Sequence, residues 1–277
     1  MVSIDFKALY PSMSCDAIIC AVKEMIMRSR MSIFDVDWRE VAKYVAVEVS
    51  PEEIEAEGLT LVVPKRKKRR TRHITINYLR QKNNDQKWTM ARKPGSQQKK
   101  KLLSLAISVG VKKVMSNHTY MVGDDCYLQM GGGAIGLELT GALSRPFMQR
   151  WDRIFLEMVK RSGIKMKLYK RYVDDSNQVA KVPPIGAKYD KTLKKVVFDE
   201  QEVRLSEKDD ARLARILKDI ANQVQDGIKM EAEFPSNDAG KMAILDMNVW
   251  MDSSNNIVYQ YYQKQFASKQ ILHAQSA

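Results

Sequence analysis

The chain has 277 residues and a mass of 31.8 kDa, with 46 Lys and Arg against 33 Asp and Glu, a formal charge of +13 and a pI near 9.5. Hydrophobic residues make up 44%, which excludes a wholly disordered chain and leaves room for one large or two small globular units. The basic surplus favours polyanionic partners, nucleic acid first, while a merely solvated basic surface is the plainer alternative.

Three cysteines (Cys15, Cys20 and Cys126) are too few for a disulfide framework and lack C-x-x-C spacing, and three scattered histidines do not suggest a zinc site. A reducing, intracellular setting is expected, with nucleus and cytoplasm not distinguished. No apolar run approaches the roughly 18 residues of a membrane span. Residues 1–20 have no basic segment leading into an apolar one, so neither a membrane association nor a secretion signal is expected.

Met1-Val-Ser-Ile-Asp-Phe, followed by the turn signal Pro11-Ser12, predicts a strand at the very N-terminus, with covering elements expected upstream. A helix is predicted from about Cys15 to Arg30. Alternation at Val45, Val47 and Val49 predicts a strand and turn over 41–63. Lys65-Arg-Lys-Lys-Arg-Arg-Thr-Arg72 is a basic block, and the lysine-rich stretch Gln81–Lys101 surrounds Pro94-Gly95. Both read as a loop or arm, suited to gripping phosphates or to nuclear targeting, or simply solvated.

Leu102–Met115 is amphipathic and helical, and Tyr120–Met130 reads as a hairpin turning at Gly123-Asp124-Asp125. After the cluster Gly131-Gly-Gly-Ala-Ile-Gly136, a long helix is predicted over about Leu137–Arg161, bent or interrupted near Pro146. Strands flank Val173-Asp174-Asp175. Leu213, Ile216, Leu217, Ile220 and Val224 recur at helical spacing between Ser206 and Ile228. Lys229–Tyr262 is strand-rich, with turns at Pro235–Asp238 and Asp252–Asn256. Helices interleaved with hairpins make an α+β fold, an antiparallel sheet packed on helices.

Tyr172-Val-Asp-Asp175 carries the strongest chemical signal. Two apolar-alternating arms around a tight turn put adjacent carboxylates at a hairpin tip, where they repel unless a cation is present. Alternation along the strand suggests Asp174 as main metal ligand and Asp175 as its auxiliary. Asp5, on an apolar strand, is the second carboxylate source, and magnesium is the ion such oxygens suit. Taken singly, Asp5 also reads as a strand-end acid or helix cap, and Asp174-Asp175 as an ordinary hairpin turn.

Asp5-Phe-Lys-Ala-Leu-Tyr-Pro-Ser12, then Gln129-Met-Gly-Gly-Gly-Ala-Ile-Gly-Leu-Glu-Leu-Thr140, then Tyr172-Val-Asp-Asp175 resemble motifs A, B and C of reverse transcriptases in order and spacing. Ile228-Lys-Met-Glu-Ala-Glu233, Ile244-Leu-Asp-Met247 and Tyr261-Tyr-Gln-Lys264 resemble the post-catalytic strands of Penelope-like and related retroelement enzymes. The resemblance covers 5–12 and most of 102–277. It implies a polymerase palm over 1–277 with a basic insertion at about 41–100, fingers and thumb largely absent, and hence weak activity alone. Ala134-Ile135-Gly136 departs from the family's common Pro-Met/Gln-Gly. Gly123-Asp124-Asp125 matches the hallmark of RNA-copying RNA polymerases but precedes the glycine segment, so it is read as a turn.

By position, the resemblance implies Asp5, Asp174 and Asp175 as catalytic ligands of two Mg2+ ions, with Mn2+ as a substitute. It implies nucleotide contacts at Phe6, Tyr10, Gln129, Gly132, Gly133 and Gly136, Tyr10 lying under the sugar and excluding a 2′-hydroxyl. Glycines suit such a segment because they let backbone approach a base pair. Lys241 is a candidate proton donor to pyrophosphate and Lys264 a candidate primer contact; each reads equally well as a surface lysine. The implied partners are an RNA or DNA template with primer and deoxynucleoside triphosphates, and the implied reaction is attack of a primer 3′-hydroxyl on an α-phosphate. Two rivals stay open: a DNA-templated polymerase of family B type, whose motif A is similar, and a non-enzymatic nucleic-acid-binding retroelement relic.

Overall fold

The computed structural model describes residues 1–30, 36–61, 79–82, 88–90, 96–134, 137–203, 207–235, 240–244, 247–254 and 256–261. They form helices and antiparallel sheets, an α+β fold, in two compact units: Met1–Lys7 with Arg153–Ala277, and Ala8–Asp152.

The first unit is built on a four-stranded antiparallel sheet of order β11-β1-β8-β7, where β1 is Val2–Lys7, β7 Met166–Tyr172, β8 Asp175–Ala180 and β11 Lys229–Glu233. Successive side chains point to opposite faces of a sheet, and in β1 this sorts them by polarity. Val2, Ile4 and Phe6 are buried, while Asp5 and Lys7 are exposed. Helix α8 (Asp209–Ala221) packs on β1 and β11. Its buried Leu213, Ile216, Leu217 and Ile220 form one apolar stripe, and covering each such side chain contributes roughly 1.5–3 kcal/mol. Asp209 and Asp210 suit the positive end of the helix dipole. Asp210 also accepts a hydrogen bond from the Met1 amine at 3.1 Å, which ties the start of β1 to this helix.

The unit also holds a hairpin of β9 (Ala187–Asp190) and β10 (Lys195–Phe198), the short helix α7 (Glu200–Val203), and a sheet of β12 (Met242–Ile244), β13 (Met247–Met251) and β14 (Ile257–Tyr261). The strand-rich C-terminal region thus agrees with expectation. The helix expected over 206–228 forms its central part only.

In the second unit α1 (Leu9–Ser12) precedes α2 (Cys15–Arg28), which the Ser14 hydroxyl caps by accepting from the Ala17 N–H at 3.2 Å. The strand expected over 41–63 is corrected: α3 (Trp38–Glu48) and α4 (Pro51–Ala56) occupy most of it. Val45 and Val49 are one helical turn apart and buried, while Val47 between them is 74% exposed; the spacing that mattered was four, not two. Ser50 caps α4 by accepting from the Glu53 N–H, with Pro51 inside the first turn. Only Thr60–Leu61 is a strand, β2, in a sheet with β3 (Leu79–Lys82) and β4 (Trp88–Met90).

Helix α5 (Ser96–Met115) begins six residues before the expected Leu102, and its Leu102 and Leu105 join Ala42, Val45, Val49, Ile54 and Leu59 in one core. The hairpin of β5 (Thr119–Val122) and β6 (Asp125–Leu128) turns at Gly123, as expected. Helix α6 (Glu138–Arg161), of which residues to Asp152 belong to this unit, runs uninterrupted through Pro146. The lost backbone bond there is offset by burial of Leu143, Phe147, Met148 and Trp151.

Replacing Leu217, fully buried on α8, with Ala is expected to lower the unfolding free energy by about 2–5 kcal/mol. Urea denaturation measures it; a loss under about 0.5 kcal/mol, the surface level, would contradict this packing.

Candidate active site

Strand β1 has an antiparallel neighbour on each side, and both bring acids to Asp5. Across one ladder Asp5 pairs with Glu231. Along the other, Ser3 pairs with Asn177 and Ile4 with Ser176, and the same register continued by one residue sets Asp5 opposite Asp175. Directly opposed residues share a sheet face. Asp5, Asp175 and Glu231 therefore stand on the face opposite the buried Val2, Ile4 and Phe6. Asp174 sits exposed in the β7–β8 turn, where Tyr172 pairs with Asp175.

That turn is strained. Val173 has φ +53, a left-handed conformation that a β-branched residue adopts only at a cost, and such strain tends to accumulate at functional sites. The Arg171 guanidinium donates to the Val173 carbonyl at 2.6 Å. Behind the turn, two side-chain bonds sew β8 to β1: Ser176 Oγ donates to the Ile4 carbonyl at 2.9 Å and Ser3 Oγ to the Ser176 carbonyl at 3.2 Å, while within β8 Gln178 Nε2 donates to Ser176 Oγ at 2.7 Å. Ser176 and Gln178 are fully buried, where a lost partner would leave a costly orphan polar group. The register that opposes Asp5 to Asp175 is thereby pinned twice, by the ladder and by these hydroxyls.

The carboxyl group of Asp5 is raised above its ordinary value of 3.8. Loss of hydration is the largest cause, although the side chain is exposed; the charges of Asp175 and then Asp174 follow, Glu233 adds a little, and a backbone hydrogen bond from Phe6 opposes them. Asp175 thus couples to Asp5 more strongly than Asp174 does. The sequence expectation ranked Asp174 first; pleat parity explains the difference, since Asp175 shares Asp5's face while Asp174 belongs to the turn. Glu231 is ion-paired with Lys7. Among the described residues no three His, Cys, Asp or Glu side chains form a ready metal cage.

The second unit holds Tyr10, Gln129, Gly132 and Gly133. Gly133 N–H donates to the Tyr10 carbonyl at 2.7 Å, and Gln129 Nε2 to the Gly131 carbonyl at 2.8 Å. Gly132, at φ +70, lies so close to Pro11 that a Cβ would collide with its carbonyl. The turn after β1 and the glycine segment are thus in contact, and they border a cavity of about 470 Å³ lined by Pro11, Ser12, Cys15, Met115 and Gln129 among others.

The Phe6 side chain is 3% exposed, in the core with Val2 and Ile4 and turned from the acidic face by alternation. Lys241 is engaged with Trp250, its Nζ 4.7 Å from the ring centroid, a cation–π contact. Gly136, Lys264 and the basic block 65–72 lie outside the described residues. Sequence reasoning assigns no role to Glu231, Ser176 or Gln178; the alternation in Lys229-Met-Glu-Ala-Glu233 is the signal that places Glu231 beside Asp5, whereas no pattern marks the two buried polar residues.

A raised carboxyl pKa means the folded state binds the proton more tightly, so stability falls as pH rises from 3.8 through the folded value. Asp5→Asn is expected to be more stable than the parent at neutral pH, with the difference vanishing below the unfolded value. Melting temperatures across pH test this; a variant less stable at neutral pH would contradict it.

No family model matches the chain, and no match is found among curated proteins or solved structures.

Proposed function

We propose that the chain carries the palm of an RNA-directed DNA polymerase, a nucleotidyltransferase of reverse-transcriptase type acting at Asp5, Asp174 and Asp175. The supporting observation is that acids some 170 residues apart in sequence couple across one sheet, Asp5 from β1 with the pair at the β7–β8 turn. Their resemblance to motifs A and C gives that convergence a chemical meaning.

Magnesium fits this donor set. Asp5 is raised first by loss of hydration and then by the charges of Asp175 and Asp174, and such an acidic group offers a negative surplus that a hard cation would relieve. Asp5, Asp174 and Asp175 would hold the two ions, with water and phosphate oxygens completing the shells, as is usual for Mg2+. Magnesium held by these residues would supply Lewis-acid activation of the primer hydroxyl and charge neutralisation at the leaving phosphates. The chain's own contribution is placement. The Ser3 and Ser176 bonds hold β8 against β1, and the Val173 turn carries Asp174 next to Asp175. Tyr10, Gln129, Gly132 and Gly133 keep the nucleotide contacts that the resemblance implies, and template, primer and deoxynucleotides are the proposed partners. Among the described residues no helix is long and apolar enough to cross a membrane.

Primer extension with Mg2+ on matched RNA and DNA templates tests the reading. Extension on RNA is expected, falling roughly 100-fold or more in Asp5→Asn, Asp174→Asn and Asp175→Asn. Extension on DNA alone would favour the family B alternative. Template binding with no magnesium-dependent extension would favour a binding relic.

A further inference from the structure

The other end of the β7–β8 hairpin, away from the acidic turn, opens onto a second cavity. It measures about 440 Å³ and is bordered by residues just before β7, just after β8, and on the β9–β10 hairpin. This volume is in the range of clefts that hold small organic ligands. Ile164, Val182, Val196 and Phe198 supply its apolar lining, and among the described residues Lys165 and Lys181 are the charged ones that line it.

The walls are held in place without a ligand. Lys181 N–H donates to the Lys165 carbonyl at 2.9 Å, and Val196 N–H to the Ser162 carbonyl at 3.3 Å. Arg212, itself buried, donates from Nε to the Pro183 carbonyl at 3.0 Å, and Arg215 to the Ala187 carbonyl at 3.3 Å. Gly186 approaches Phe198 so closely that a Cβ would stand 2.6 Å from its ring. Phe198 is nonetheless 67% exposed, a large aromatic surface left at the cavity with little protein over it.

Charge distinguishes this cavity from a bare apolar groove. Both lysines are exposed, and among the described residues neither is paired with a carboxylate. Of the acids next along the chain, Asp199 is engaged with Lys188 at 3.4 Å and Glu202 with Arg215 at 2.8 Å, and Glu200 is exposed outside the lining. An occupant must therefore be apolar over most of its surface and negative at one end.

We propose that this cavity binds an amphipathic anion, an apolar chain or ring bearing one carboxylate or phosphate, with the apolar part against Ile164, Val182, Val196 and Phe198 and the head held by Lys165 and Lys181. The site is independent of the polymerase reading, because it rests on a different end of the sheet and on binding alone.

Isothermal titration of the full chain with decanoate, decyl phosphate and decyltrimethylammonium, each below its aggregation threshold, tests it. Saturable binding of an anion at one site per chain is expected, with the cation about tenfold weaker or worse. The tighter of the two anions identifies the head group. Lys165→Glu with Lys181→Glu is expected to weaken the anions about tenfold or more, whereas Lys167→Glu with Lys191→Glu, the same charge change on exposed lysines outside the cavity, leaves binding within about twofold. Val196→Trp, which fills the cavity without altering charge, is expected to abolish binding in a chain whose circular dichroism is unchanged. Equal binding of cation and anion, equal loss in both lysine pairs, or no saturable binding would overturn the proposal.

Discussion

Charge repulsion held in place by strand pairing is the constraint on which the rest of this structure turns. Asp5, Asp174 and Asp175 would lower their energy by moving apart. They stay together because β1 is clamped between β8 and β11, and because the opposite face of β1 is buried under α8. A one-residue slip of β1 would carry Asp5 into the core and expose Ile4 and Phe6, exchanging several kcal/mol of burial for a buried charge. The apolar face therefore enforces the acidic one. The same parity that hides Val2, Ile4 and Phe6 sets Asp5 opposite Glu231 and Asp175.

Local devices refine this arrangement. The Ser3 and Ser176 hydroxyls donate across β1 and β8 rather than to solvent, so the register carries a side-chain lock where a slip would matter most. Val173 accepts an unfavourable backbone conformation at the turn. A glycine or asparagine there would relax the loop more cheaply, and the strain is consistent with a turn whose shape, not its stability, is what counts. The price is confined to the hairpin tip, while the stabilising burial lies in α8 and in β1.

Much of this was legible in the amino-acid sequence because it rests on strong periodicities. Leu213, Ile216, Leu217 and Ile220 can only be one face of a helix, and the Gly123 and Val173-Asp174 turns sit between segments of strand character. Where two periods overlap, the pattern is ambiguous. Val45, Val47 and Val49 satisfy alternation, yet Val41, Val45 and Val49 equally satisfy a helical repeat, and contact with Leu102 and Leu105 of α5 decides for the helix. The β9–β10 hairpin carries no clear turn signal, since Lys194 at φ +53 stands where Gly or Asn is usual. Of the site, the three aspartates were visible as motifs, but their ranking was not: it follows from pairing register, which only the folded sheet provides. Phe6 shows the same limit, since being next to Asp5 in sequence places it on the opposite face.

Coupling among the three aspartates is what any metal-dependent reading of this chain requires, and it can be observed without substrate or metal. Carboxyl-detected NMR titration of Asp5 in the parent chain, in Asp175→Asn and in Asp174→Asn measures it directly. Asp5 is expected to titrate above 3.8 in the parent, to fall toward that value in Asp175→Asn, and to fall less in Asp174→Asn. An Asp5 titration that ignores both replacements would contradict a shared acidic site.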